Sequence, residues 1–114
     1  MNGPPVTVAE TPLFARQASK IWSEEERDDF IDHIARFPLA GEVVQETGGV
    51  RKVRWTRAGS GKRGGARVIY FYHRPDTPLY LLMVYSKAQR EDLTVSEKIE
   101  VKKFVGVIKA ASSR

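Results

Sequence analysis

A chain of 114 residues, 41% hydrophobic and 29% charged, has the size and composition of one globular domain spanning residues 1–114. It has no cysteine, and its two histidines, His33 and His73, are too few for a histidine-built zinc centre, so disulfides, thiol nucleophiles and metal sites of those kinds are excluded. The net charge of +5 favours polyanionic partners, while the absence of an apolar run near ~20 residues excludes a membrane span. Met1–Glu10 lacks the basic-then-apolar order of a secretory signal, and a soluble cytoplasmic protein is expected.

In chain order, residues 1–10 hold two prolines and a glycine and read as a tail or a short edge strand near Val6–Val8. Thr11–Trp22 places Leu13, Phe14, Ala18 and Ile21 at helical spacing. Ser23 and Glu26 form a capping box that opens a second helix, with Phe30, Ile31, Ile34 and Ala35 on one stripe and an end before Pro38. The acidic residues of its first turns suit the helix macrodipole, which makes them helix design rather than a carboxylate catalyst.

Val50–Arg57 alternates, with Val53 and Trp55 to one side and Lys52, Arg54 and Thr56 to the other, the pattern of a strand with one core face and one cationic face. The glycine-rich run 58–65 predicts a hairpin loop. Ala66–His73 is a strand rich in β-branched and aromatic residues, Arg74–Pro78 is a turn, and the near-continuous apolar run Leu79–Tyr85 is a strand buried on both faces. A second capping box, Thr94 to Glu97, opens a last helix to about Ala111 with Val101, Phe104, Val105 and Ile108 on one face. The predicted class is α+β: a small antiparallel sheet of about four strands with two to three packed helices.

The charge is concentrated. Arg51, Lys52, Arg54, Arg57, Lys62, Arg63 and Arg67 fall within seventeen residues that hold no Asp or Glu, and elsewhere twelve basic residues face fourteen acidic ones. Gly59-x-Gly61-Lys62 is not a phosphate-binding loop of the Walker type, because Thr56 and Arg63 stand where that pattern requires Gly and Ser/Thr. Two scattered histidines suggest no nucleophilic triad. What remains is a strand face with Lys52 and Arg54, Arg67 on the next strand and Lys87 after a third. Strands lie about 4.8 Å apart, so these cations can converge and stabilise the charge of a phosphoryl transition state. Their mutual repulsion favours a lysine that works as a general base. Tyr70, Tyr72 and Tyr85 are placed to stack on unpaired bases, or to pack in the sheet as strand tyrosines commonly do.

These residues carry a resemblance. Thr47–Trp55, Gly61–Tyr70 and Leu81–Lys87 followed by Asp92-Leu93 resemble, in order and spacing, the HigB branch of the RelE toxin superfamily. The resemblance implies a fold like the microbial ribonucleases and ribosome-dependent cleavage of messenger RNA without a metal or cofactor. It also implies neutralisation by an antitoxin, typically a helix-turn-helix DNA-binding protein. Carried over by position, Lys52, Arg54, Arg67 and Lys87 are the implied catalytic residues, with Lys52 or Arg54 activating the ribose 2′-hydroxyl and Arg67 stabilising the phosphorane. Lys52 is preferred for activation because arginine stays protonated. Arg51, Arg57, Lys62, Arg63 and the three tyrosines are the implied RNA or ribosome contacts.

The sequence departs from the family at one place. Ala88–Lys103 contains no aromatic residue or histidine to act as general acid, which leaves Tyr85, His73 and Lys87 as candidates. Two other readings use the same cations: a non-catalytic RNA- or ribosome-binding module, and a co-repressor acting with its antitoxin.

Overall fold

The computed structural model describes residues 4–56 and 65–112. The order is β1 (Val8–Glu10), α1 (Pro12–Ile21), α2 (Glu24–Arg36), β2 (Glu42–Val43), β3 (Arg51–Trp55), β4 (Ala66–Tyr72), β5 (Leu79–Ser86) and α3 (Val95–Ser112). The predicted hairpin loop 58–65 lies outside the described residues except for Gly65.

The sheet has five strands in the order β1-β5-β4-β3-β2. The meander β3-β4-β5 is antiparallel as expected, and β2 extends it in the same sense. Relative to the predicted four antiparallel strands, β1 adds a fifth and pairs parallel with β5, Val8 opposite Leu79. α1 makes this parallel pairing feasible, because parallel neighbours need a crossover and not a tight turn. α1 follows β1 directly and packs on β5, with Thr11 accepting from Phe14 N–H as N-cap and donating its hydroxyl to the Leu81 carbonyl.

Sheet alternation sorts the side chains into two cores. On one face Phe14 and Ala18 of α1 and Phe30 and Ile34 of α2 pack against Val68, Tyr70, Leu79, Leu81 and Val84, with Val53 and Trp55 alongside. On the other, Val101 and Val105 of α3 pack against Val50, Ile69, Phe71, Leu82 and Met83, with Phe104 and Ile108 alongside. β4 and β5 are buried on both faces because helices cover both sides, which explains their near-continuous apolar character. The register between them shifts at Ile69/Tyr70, so Leu82 and Met83 both reach the α3 side.

Both capping boxes form. Ser23 Oγ accepts from Glu26 N–H and Glu26 returns the bond to Ser23 N–H. Thr94 and Glu97 repeat the exchange at 3.1 and 2.9 Å. Among the described residues no helix is long and apolar enough to cross a membrane.

Candidate active site

The register of β3 and β4 sets Lys52 opposite Ile69 and Arg54 opposite Arg67, and β5 sets Tyr85 opposite Arg67. Paired residues of a sheet share a face. Lys52, Arg54, Arg67 and Tyr85 therefore stand together on the α3 side. Lys52, Arg54 and Arg67 line one cleft of about 430 Å³ with Glu42 of β2 and Glu91 of the β5–α3 loop, and no residue of α3 contributes to its wall. Of the four cations expected to converge, Lys52, Arg54 and Arg67 line this cleft and Lys87 is not in its wall.

Two arginines directly opposite across strands repel, and Arg67 is only 3% exposed. A buried guanidinium is tolerable only with an opposite charge and hydrogen bonds. Glu91 supplies them, its Oε2 accepting from Arg67 Nε at 3.1 Å. Asp92 does the same for Lys52, with its Oδ1 2.7 Å from Nζ. That hydrogen bond and charge hold the Asp92 carboxyl below the usual carboxylate range. The cleft is thus a set of cations with two carboxylates laid on them, not the purely cationic patch expected from the sequence. Lys52 and Asp92 therefore have to be considered together.

The loop carrying these carboxylates is tied down on both sides. The Tyr85 hydroxyl donates to the Glu91 carbonyl at 3.0 Å. The Arg90 guanidinium lies 4.4 Å over the Tyr85 ring and holds the Glu97 carboxylate with two hydrogen bonds. Leu93 is buried in the α3 core. Burial, more than any neighbouring charge, pushes the Tyr85 phenol up, so it stays a neutral donor.

The other expected site residues fall elsewhere. Tyr70 and Tyr72 alternate to the α1/α2 face. Tyr70 is fully buried, its hydroxyl accepting from Gly41 N–H and donating to the Pro38 carbonyl, both at 2.8 Å, so no base can stack on it. Tyr72 lines a separate apolar groove with His33, Phe37 and Pro4. Arg51 also points away from the cleft and donates to the Gly41 carbonyl at 2.6 Å. Lys87 is exposed in the turn after β5 and is not part of the cleft wall. Arg57, Lys62 and Arg63 lie outside the described residues. His73 follows β4 at the end remote from Arg67, six residues or about 20 Å along an extended strand, and stacks on Phe71. His73 therefore lies at the far end of β4 from Arg67.

The sequence reading missed Glu42, Glu91 and the contacts of Arg90. The available signal was the charged run Arg90-Glu91-Asp92 one short turn after a buried strand. Among the described residues, no group of three or more His, Asp or Glu side chains is arranged to hold a metal ion. A family model described as RelE toxin of RelE / RelB toxin-antitoxin system matches residues 13–114, the whole of the cleft included.

Proposed function

The chain belongs to the RelE toxin family, the toxin half of a toxin–antitoxin system, and from that premise we propose that it is a ribosome-dependent messenger-RNA endoribonuclease of the HigB-like branch. Its antitoxin is then a helix-turn-helix DNA-binding protein. The observation that carries the reading is the convergence of Lys52, Arg54 and Arg67 on one cleft beside Glu91.

Cleavage proceeds by attack of the ribose 2′-hydroxyl on the adjacent phosphate. The O2′–P bond forms, the P–O5′ bond breaks, the leaving 5′-oxygen takes a proton from water, and the products are a 2′,3′-cyclic phosphate and a free 5′-hydroxyl. In this reading Arg54 and Arg67 stabilise the charge of the phosphorane. Lys52 stabilises the developing alkoxide, and the 2′-hydroxyl proton passes to Asp92, the carboxylate already bonded to Lys52. Glu91 stands on Arg67, which phosphate would engage, so substrate phosphate must replace the Glu91 oxygens there. The ribosome's part is to hold the message in line with the cleft, the positional contribution of a bound template.

The test is incubation of the protein with one mRNA, naked and on a programmed ribosome, with cut sites read by primer extension. Cleavage on the ribosome that is lost in Lys52→Ala and Arg67→Gln, with folding checked by thermal unfolding, is the expected outcome. Ribosome binding without cleavage by the wild-type chain would overturn the nuclease reading in favour of a binding module.

A further inference from the structure

Glu42 enters the cleft from the edge strand of the sheet. It is the cross-strand partner of Lys52, shares the face of Lys52 and Arg54, and lines the cleft wall beside Ala40. A carboxylate among cations is commonly a counter-charge. Here that role is already filled, because Asp92 holds Lys52 and Glu91 holds Arg67. Among the described residues Glu42 makes no ion pair and no side-chain hydrogen bond. A carboxylate beside a path for phosphates repels them and costs affinity. It gains a role there only where the ligand presents hydrogen-bond donors.

The register fixes an order across the sheet. Arg67 on β4 faces Arg54 on β3, Lys52 lies about 7 Å along β3, and Glu42 about 5 Å further across on β2. The proposed chemistry sets the scissile phosphate at Arg54 and Arg67 and the attacking 2′-hydroxyl at Lys52. The base on that same ribose then extends towards β2, where Glu42 stands.

Unpaired RNA is read at the exposed edges of its bases. A carboxylate offers two acceptor oxygens side by side and no donor. Of the four RNA bases only guanine presents two neighbouring donors on its Watson–Crick edge, N1–H and the N2 amino group. In adenine and cytosine the amino group sits beside a ring-nitrogen acceptor, and in uracil the single N3–H lies between two carbonyls. Each of these sets a lone pair against a carboxylate oxygen.

We propose that Glu42 selects guanine at the nucleotide on the 5′ side of the cut, its two oxygens accepting from N1–H and the N2 amino group. The inference rests on the cleavage reading for the place of the ribose, and adds which base that ribose carries.

The experiment has a binding arm and a cleavage arm. The free protein is titrated with labelled single-stranded thymine oligodeoxynucleotides carrying one guanine, one hypoxanthine (which lacks the N2 amino group) or one adenine. Guanine is expected to bind at least about tenfold tighter than adenine, the scale of one bidentate base contact, with hypoxanthine between them. Glu42→Gln is expected to lose the guanine preference and to bind the adenine oligonucleotide more tightly than wild type does. Glutamine lacks the repelling charge and offers one donor and one acceptor, the pattern adenine matches. A role in packing alone would weaken binding of all three alike. On the programmed ribosome, wild-type cuts should follow guanine, and those of Glu42→Gln should spread to other bases. Equal affinity of wild type for the three oligonucleotides, or binding to none, would overturn the proposal. So would a guanine preference kept by folded Glu42→Gln, or wild-type cuts indifferent to the base on their 5′ side. Guanine-selective binding by a chain that never cuts mRNA would refute the nuclease reading and leave base selection by Glu42 standing.

Discussion

Asp92 Oδ1 lies 2.7 Å from Lys52 Nζ, across forty residues of sequence. The pair joins the first strand of the cationic face to the loop after the last. It ties a side chain proposed to meet RNA to the carboxylate proposed to take the 2′-hydroxyl proton. Arg67 and Glu91 repeat the arrangement at 3.1 Å.

Asp92→Asn separates binding from chemistry. Without the carboxylate, Lys52 meets RNA phosphate unopposed, and affinity for a cleavage-resistant 2′-deoxy oligonucleotide should rise, with a salt slope steeper by about one counterion. Cleavage on the ribosome should fall by about 10²-fold or more, the usual contribution of a positioned base. Filter binding over a salt series and primer extension read the two effects. Full cleavage activity in the variant would remove Asp92 from the proton path.

Tyr70→Phe tests how the opposite core supports the cleft. The change strips the buried Gly41 N–H of its acceptor and the Pro38 carbonyl of its donor. An unsatisfied buried group costs about 1–3 kcal/mol, measurable by urea unfolding. Gly41→Ala should also destabilise, because its Cβ would sit 2.8 Å from the Lys52 carbonyl oxygen and 2.9 Å from Tyr70 Cε1. Both changes disturb the segment that sets Glu42 against Lys52, so activity should drop as well.

His33 should make stability depend on pH near neutrality. Burial against Phe37 and Trp55 lowers its pKa, with Asp32 opposing the shift more weakly. The fold favours the neutral imidazole, so its contribution is complete above the ordinary value of about 6.5 and declines as pH falls from there towards the lowered value. The thermal midpoint should therefore drop as pH falls below about 6.5 in the wild type and drop less in His33→Gln. Parallel profiles for the two proteins would contradict this assignment.

Glu97 acts at the acid end. The hydrogen bond from Arg90 holds its pKa below the usual value, helped by the Thr94 N–H and opposed by partial burial. A depressed carboxyl stabilises the fold above its unfolded value of about 4.3 and loses that effect as pH falls through the folded one. Glu97→Gln keeps a side-chain acceptor for the capping box but lacks the charge, so it should flatten the decline in thermal midpoint as pH falls below about 4.3. High salt should shrink the difference, since the pair is partly exposed.

The cleft-bearing part of the fold was largely readable from local chemistry. Both capping boxes, the end of α2 before Pro38 and the period-two run of β3 are decided by residues a few positions apart, and each appears where those residues place it. Alternation also put Lys52 and Arg54 on the face away from Val53 and Trp55. What alternation could not supply was the face of the next strand. Tyr70 and Tyr72 resemble Tyr85 as sequence, but pairing in register sends them to the α1/α2 core and Tyr85 to the core on the α3 side. The parallel pairing of β1 likewise depends on an interaction with Leu79, 71 residues from Val8.

By itself the sequence determined the helices, their caps, the strand that carries the cations and the excess of charge on it, because each follows from the spacing of neighbours along the chain. Only the tertiary structure decided that Glu91 and Asp92 lie on Arg67 and Lys52 and that His73 lies at the other end of β4 from Arg67. Those outcomes depend on which strands pair and on which side each helix packs. Pairs of opposite charge separated by 24 and 40 residues have no local signature, since the attraction acts only once the sheet has brought them within a few ångströms.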